Sequence, residues 1–269
     1  MSRVEAALRD LRLADTLAAR DTPLARIDAR AKVVVTLAFL VAVVSFDRHA
    51  VAALLPFALY PAVLAVRGDV PARWLGRKLL IAAPFAVAVG LFNPLLDRAP
   101  MLAIGDATLS AGWVSFASIL VRFALTVAAA LAVVAGTGMH TLCAALGRLG
   151  APRIFTAQLL FLYRYAFVLG GEASRMGTAR MLRGGARAPS LAVYGALAGH
   201  LLLRAFERAE RIHRAMVARG FDGEFRSLRA ARWTGADTAF VAGWCGYFAA
   251  ARAVDIPQGL GRLLTAGIP

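Results

Sequence analysis

Two short stretches of this 269-residue chain could make a specific ionic contact: Leu182-Arg183-Gly184 and Ala218-Arg219-Gly220. Each sets one arginine in the last turn of a run with helical periodicity, followed by a glycine able to adopt φ > 0. Taken singly, either reads as a helix cap, because a cation suits the negative end of the helix dipole. Two of them, 36 residues apart in one basic block and the second leading into Phe221-Asp222-Gly223, read instead as plugs for acidic grooves. The planar guanidinium can grip a carboxylate with two parallel hydrogen bonds.

Other chemistry has no residues to carry it. A phosphate-binding loop needs Gly-Lys followed by Ser or Thr, but the two lysines, Lys32 and Lys78, precede Val33 and Leu79. His49, His140, His200 and His213 are scattered, and Cys143 and Cys245 lack the spacing of a zinc site. His140 and Cys143, three apart, read as packing. No nucleophile–base pair or carboxylate dyad is visible. The sequence therefore predicts a non-enzymatic chain with no cofactor or metal of its own.

The two arginines need long elements to hold them. After the break at Gly150-Ala151-Pro152, Phe155, Leu159, Leu162, Ala166, Leu169, Ala173 and Met176 keep a helical stripe until Gly184-Gly185. Pro189 and Ser190 open a second helix, striped by Leu191, Tyr194, Ala198, Leu201, Ala205, Ile212 and Met216 and stopped by Gly220. Glu207–Arg211 and Glu210–Arg214 are i, i+4 pairs on its outer face. At about 1.5 Å per residue, each is a rod of roughly 45–50 Å.

Composition places these rods beside a bilayer. The chain is 59% apolar and 17% charged, against roughly 45–50% and about 25% in soluble domains. Spans are expected at Ala31–Phe46, Ala50–Val66, Leu79–Leu96, Trp113–Ala135 and about Ala236–Ala251. Asp47-Arg48-His49 makes a tight helical hairpin, and the links 47–49 and 97–112 carry one arginine each. Arg3–Arg20 reads as a helix lying in the interface. Ile154–Gly171 and Leu191–Phe206 are apolar enough to imitate spans. Crossing would put Arg175, Arg180, Arg183 and Arg187 outside against Glu172 alone, violating the positive-inside rule. The net charge of +15 is thus a topology signal, and no nucleic acid partner is expected. Arg122, inside the fourth span, reads as snorkelling to the interface. Ala128, Ala129, Ala130, Ala132 and Gly136 read as filler, and Pro56, Pro61 and Pro84 as tolerated kinks.

The expected fold is an all-α integral membrane protein with about five transmembrane helices and a cytoplasmic domain of long amphipathic helices. Its parts are an interfacial segment (1–30), four spans (31–136), the rods (137–232), and a last span with its tail (233–269). The N-terminus and the rods face the cytoplasm of a bacterial inner membrane.

The paired X-Arg-Gly tips resemble those of the T component, the coupling subunit of energy-coupling-factor (ECF) transporters, most closely the cobalt/nickel type called CbiQ. Leu24-Ala25-Arg26-Ile27-Asp28-Ala29-Arg30-Ala31-Lys32 is similar to the start of that family's first span, with Ala29 where Pro is usual. Phe92-Asn93-Pro94-Leu95, Leu162-Tyr163-Arg164-Tyr165 and Ala218-Arg219-Gly220-Phe221-Asp222-Gly223 resemble the cobalt subgroup, and the likeness spans roughly 22–225. It implies three kinds of partner: a dimer of ABC-type ATPases that binds ATP and magnesium, a small substrate-binding membrane (S) subunit, and the lipid bilayer. Leu182, Arg183, Gly184, Ala218, Arg219 and Gly220 would couple to the ATPases, one tip each, to drive cobalt or nickel uptake. A vitamin cargo fits the same scaffold. A lipid or isoprenoid enzyme would need acidic or His/Glu clusters at the membrane face. A basic anchor for anionic lipid would make Arg187, Arg229 and Arg232 matter as much as Arg183 and Arg219.

Overall fold

The structure is a computed structural model that describes residues 3–47, 50–97, 100–104, 107–184, 190–223 and 233–253. The chain forms two compact units: residues 1–16 with 139–230, and residues 17–138 with 231–269. Helix α1 (Arg3–Ala18) runs unbroken through the first division, and Gly138, at φ +82°, stands at the second.

The larger unit holds two of the three helices long and apolar enough to cross a bilayer and is termed the membrane unit. Helix α2 (Ala29–Val44) starts on Asp28, whose carboxylate accepts the Arg30 amide at 2.8 Å as an N-cap and pairs with the Arg30 guanidinium. Its buried face carries Val35, Phe39 and Val43. The expected second span is broken into α3 (Val51–Leu54), a 3-10 turn (Leu55–Ala58) and α4 (Leu59–Arg67). Pro56 cannot donate to the helical ladder, which accounts for the break, and its carbonyl accepts from Tyr247 Oη at 2.8 Å. Helix α5 (Ala72–Gly90) starts a full two turns before the expected Leu79 and is followed by the short α6 (Phe92–Leu96).

The link after α6 contains a strand pair. Strands β1 (Pro100–Ile104) and β2 (Ala107–Ser110) pair antiparallel, Ile104 opposite Ala107. The signal passed over is Gly105-Asp106 between two short apolar runs, the composition of a two-residue hairpin turn.

Helix α7 (Ala111–Thr137) is the centre of this unit. Its small residues are not filler: Ala128, Ala129, Ala132, Ala135 and Gly136 are buried, while Ala130 is exposed. A Cβ on Gly136 would stand 2.6 Å from Leu24 Cδ2, and the Leu24 side chain is fully buried. Close approach is what small residues permit in membranes.

Helix α11 (Gly235–Ala253) packs along α2 in parallel. Asp237 Oδ1 accepts the Asp28 amide at 2.7 Å where both helices begin. Phe248 meets Phe39 midway with ring centroids 5.6 Å apart. Arg252 donates to the Ser45 carbonyl at 3.0 Å where both end. Phe39, Phe57, Tyr60, Trp244 and Phe248 form the aromatic core.

By length and hydropathy, Ala72–Pro94, Ala111–Thr137 and Arg153–Gly184 could each cross a bilayer. The third is the rod that the sequence assigns to the cytoplasm. Its composition alone does not exclude a crossing.

Candidate functional site

The smaller unit holds both Arg-Gly stretches. It starts with α8 (Met139–Arg148), which the sequence reading did not separate, although Met139, Leu142, Cys143 and Leu146 keep helical spacing. Cys143 is buried, which pushes its thiol up from the ordinary range. Gly150, at φ +102°, turns the chain into α9 (Arg153–Gly184), and α10 (Leu191–Ala218) follows. Neither rod has a fully buried residue: Leu159, Ala166, Leu169, Ala173 and Met176 of the α9 stripe are half-buried, while Phe155 and Leu162, and Leu191 and Tyr194 on α10, are exposed.

Glu172 is the polar joint between the rods: it pairs with Arg175 at 2.6 Å on α9 and with Arg204 of α10. Arg175 and then Arg204 hold its carboxyl below the usual carboxylate range. Sequence reasoning used Glu172 only as a charge to count. Its signal was that it is the one acid in 172–190.

Beyond this joint lies an apolar cavity of about 380 Å³, lined by Phe161, Tyr165 and Leu169 of α9, and Phe206, Ile212 and Met216 of α10, among others. The rods therefore run antiparallel, and the tips point away from each other. Arg183 lies about 16 Å along α9 from Glu172, and Arg219 about 22 Å along α10 from Arg204. Gly184 and Leu191 are seven residues apart in sequence, a reach of at most about 25 Å, so the opposite arms diverge by more than a right angle. That places Arg183 and Arg219 roughly 30–40 Å apart. They are not brought together.

The two tips also differ in construction, contrary to the expectation that they end alike. Gly220 has φ +78°, its amide donates to Val217 O at 2.9 Å, and the Phe221 amide donates to Met216 O at 3.0 Å. Those are the two bonds of a Schellman cap. Gly184 is still helical and lacks a positive φ. Leu182 is 83% exposed, and Arg183, Gly184, Ala218, Arg219 and Gly220 are exposed too. The pairs Glu207–Arg211, at 3.8 Å, and Glu210–Arg214 form as expected. Arg48, His49, Gly185, Arg187, Pro189, Arg229 and Arg232 lie outside the described residues.

In the membrane unit, Arg122 reaches the link that follows α2. Its guanidinium donates to Phe46 O at 2.9 Å and Asp47 O at 2.5 Å, closing the C-terminal end of α2. Lys32, 1% exposed, donates to Leu24 O at 3.0 Å. The stretch Leu24–Lys32 thus supplies a buried plug, a helix cap and a buried cation. Among the described residues, no three His, Cys, Asp or Glu side chains are grouped to hold a metal ion.

Comparison with known proteins bears on the same elements. The family model CbiQ, described as "Cobalt transport protein", matches residues 20–229, from just after α1 to beyond both tips. An uncharacterized protein of Methanocaldococcus jannaschii is 34% identical over 80 residues, 29% of this chain and 30% of that protein. The aligned part thus spans under a third of that relative.

Proposed function

The chain belongs to the CbiQ cobalt transport protein family, and from that premise we propose that it is the energy-coupling T component of an ECF-type importer. Two ABC-type ATPases bind ATP and magnesium and receive the tips in acidic grooves. A small membrane subunit captures the cargo, cobalt or nickel ion. This chain carries the ATPase movement to that subunit and does no chemistry itself.

The observation that carries this reading is the pair of exposed arginines on opposed ends of two long rods. At roughly 30–40 Å apart, they suit two separate partners better than one groove. The exposed apolar side chains on α9 and α10, among them Phe155, Leu162, Leu191 and Leu202, support a role as docking rods. Losing one partner of a desolvated charge pair typically costs about 2–5 kcal/mol, enough to release an ATPase.

Orientation follows from charge and from parity. Residues 1–32 carry seven basic groups, and Arg67, Arg73, Arg77 and Lys78 flank the link into α5, which favours the cytoplasmic side for both. Helices α2 and α11 are parallel, so an odd number of crossings separates them. The α3–α4 segment, α5 and α7 make three. A crossing by α9 alone would break that count, which supports keeping both rods in the cytoplasm of a bacterial inner membrane.

The test is copurification. Arg219→Glu should release the ATPases and stop metal uptake, while Arg211→Glu, on the exposed flank of the same rod, should do neither. Retention of ATPases and uptake by the double variant Arg183→Glu, Arg219→Glu would overturn the proposal.

A further inference from the structure

The cavity between α9 and α10 is apolar, yet its rim carries a cation that no neighbouring acid neutralises. On α10, Arg204 pairs with Glu172, Arg211 with Glu207 and Arg214 with Glu210. Arg208 lines the cavity, and among the described residues no carboxylate pairs with it. The sequence accounts for the difference. Three and four residues either side of it stand Arg204, Ala205, Arg211 and Ile212, none of them acidic. The other polar lining groups are Gln158 and His213, so no described acid faces this space.

Helical spacing sets the apolar part. Leu202, Ala205, Ala209, Ile212 and Met216 make one stripe of α10, and Arg208 stands at its edge beside Ala205 and Ile212. The volume, about 380 Å³, lies in the range of small-ligand sites. One turn of α-helix with its side chains takes up roughly 420–610 Å³, so a helical turn does not fit inside. A hydrocarbon chain, which is far narrower, does. The cavity also reaches the second tip: Met216 and Phe221 both line it, and the Phe221 amide donates to Met216 O in the Gly220 cap.

We propose that this cavity binds one anionic phospholipid, its acyl chain among the apolar side chains and its phosphate on the Arg208 guanidinium. The planar fork of Arg208 can give a phosphate two parallel hydrogen bonds, and the chain removes apolar surface from water. A zwitterionic lipid brings its own cation to the phosphate and gains less. An occupied cavity holds Met216 and Phe221 in place, so the lipid slows opening of the cap at the second tip. The site lies wholly within the smaller unit and stands independently of the coupling reading.

The test takes the purified full chain in nanodiscs of phosphatidylcholine, with and without phosphatidylglycerol, and reads amide hydrogen exchange over residues 202–221. Phosphatidylglycerol should slow that exchange about fivefold or more, the Phe221 amide included. Arg208→Gln should remove most of the slowing, and Arg208→Lys, a charge without the fork, should keep part of it. Arg211→Gln, at a position that does not line the cavity, should keep all of it. Ala205→Phe fills the cavity and should leave exchange insensitive to phosphatidylglycerol. Equal exchange in the two bilayers would overturn the site. Equal losses in Arg208→Gln and Arg211→Gln would overturn it in favour of diffuse attraction to an anionic surface. Slowing that survives Ala205→Phe would overturn the acyl chain's place in the cavity. Inorganic phosphate, added in phosphatidylcholine alone, should change nothing, and slowing by it would overturn the lipid as occupant.

Discussion

Asp237 accepts the backbone amide of Asp28 at 2.7 Å across 209 positions of sequence, joining the first turn of α11 to the start of α2. Its other carboxylate oxygen accepts the Thr234 amide at 2.8 Å and the Thr234 hydroxyl at 2.7 Å. The carboxylate is 1% exposed, and these three donors are what make its burial tolerable. One acid thus caps α11 and fixes its register on α2.

Asp237→Ala should therefore destabilise the membrane unit by about 2–4 kcal/mol, since it strands buried donors as well as losing bonds. Asp237→Asn, retaining one acceptor oxygen, should cost less. Thermal unfolding of the detergent-purified chain checks both. A loss within error of zero for Asp237→Ala would mean that the aromatic contacts alone hold α11.

The two tips separate backbone from docking. Gly220 needs its left-handed conformation, so Gly220→Ala should cost about 1–2 kcal/mol and loosen the Schellman bonds at Met216 and Val217. Gly184 is helical with open space where a Cβ would stand, so Gly184→Ala should hold or slightly raise helix stability. If the first tip seats in a close-fitting groove, Gly184→Ala should nevertheless weaken ATPase copurification. Hydrogen exchange at residues 214–221, read beside copurification, distinguishes the two effects.

Arg122 closes the end of α2 through carbonyl oxygens, and its Nε is buried without a partner. Arg122→Met should leave the part-buried Phe46 carbonyl unpaired, lowering stability by about 1–3 kcal/mol. Arg122→Lys keeps the charge but offers a single point donor, so it should recover only part of the loss. Equal melting temperatures for all three chains would refute the closing role.

The rods and most span positions were legible because their information is local: stripe spacing, Pro and Gly breaks, and arginine placement. The Ala29–Val44 and Ala111–Thr137 helices follow from apolar runs bounded by polar residues. What was hidden depends on distant partners. Asp237 looks like an ordinary first-turn acid until Asp28 is beside it. The acceptors of Arg122 are backbone atoms, which no sequence pattern marks. Gly136 passed for filler because smallness is informative only when the opposing surface, here Leu24, is known. Gly184 and Gly220 look identical as Arg-Gly pairs, and only the backbone angles separate a cap from a helical residue.

The parity of crossings yields the sharpest test. If α2 and α11 cross in the same sense, α9 and α10 must stay on one side together or cross together. A crossing pair would carry Glu172, Arg175 and Arg204 into or through the bilayer, and such charges are costly at depth. With Cys143 and Cys245 replaced, Thr178→Cys should react with a membrane-impermeant thiol reagent only from the side that holds the N-terminus. Asp47→Cys, in the link after α2, should react only from the opposite side. Labelling of both from the same face would break the parallel crossing of α2 and α11, or the rods' placement. Reaction of Arg219→Cys from the Thr178 side then decides between those outcomes, because a crossing pair of rods would put the two tips on opposite sides.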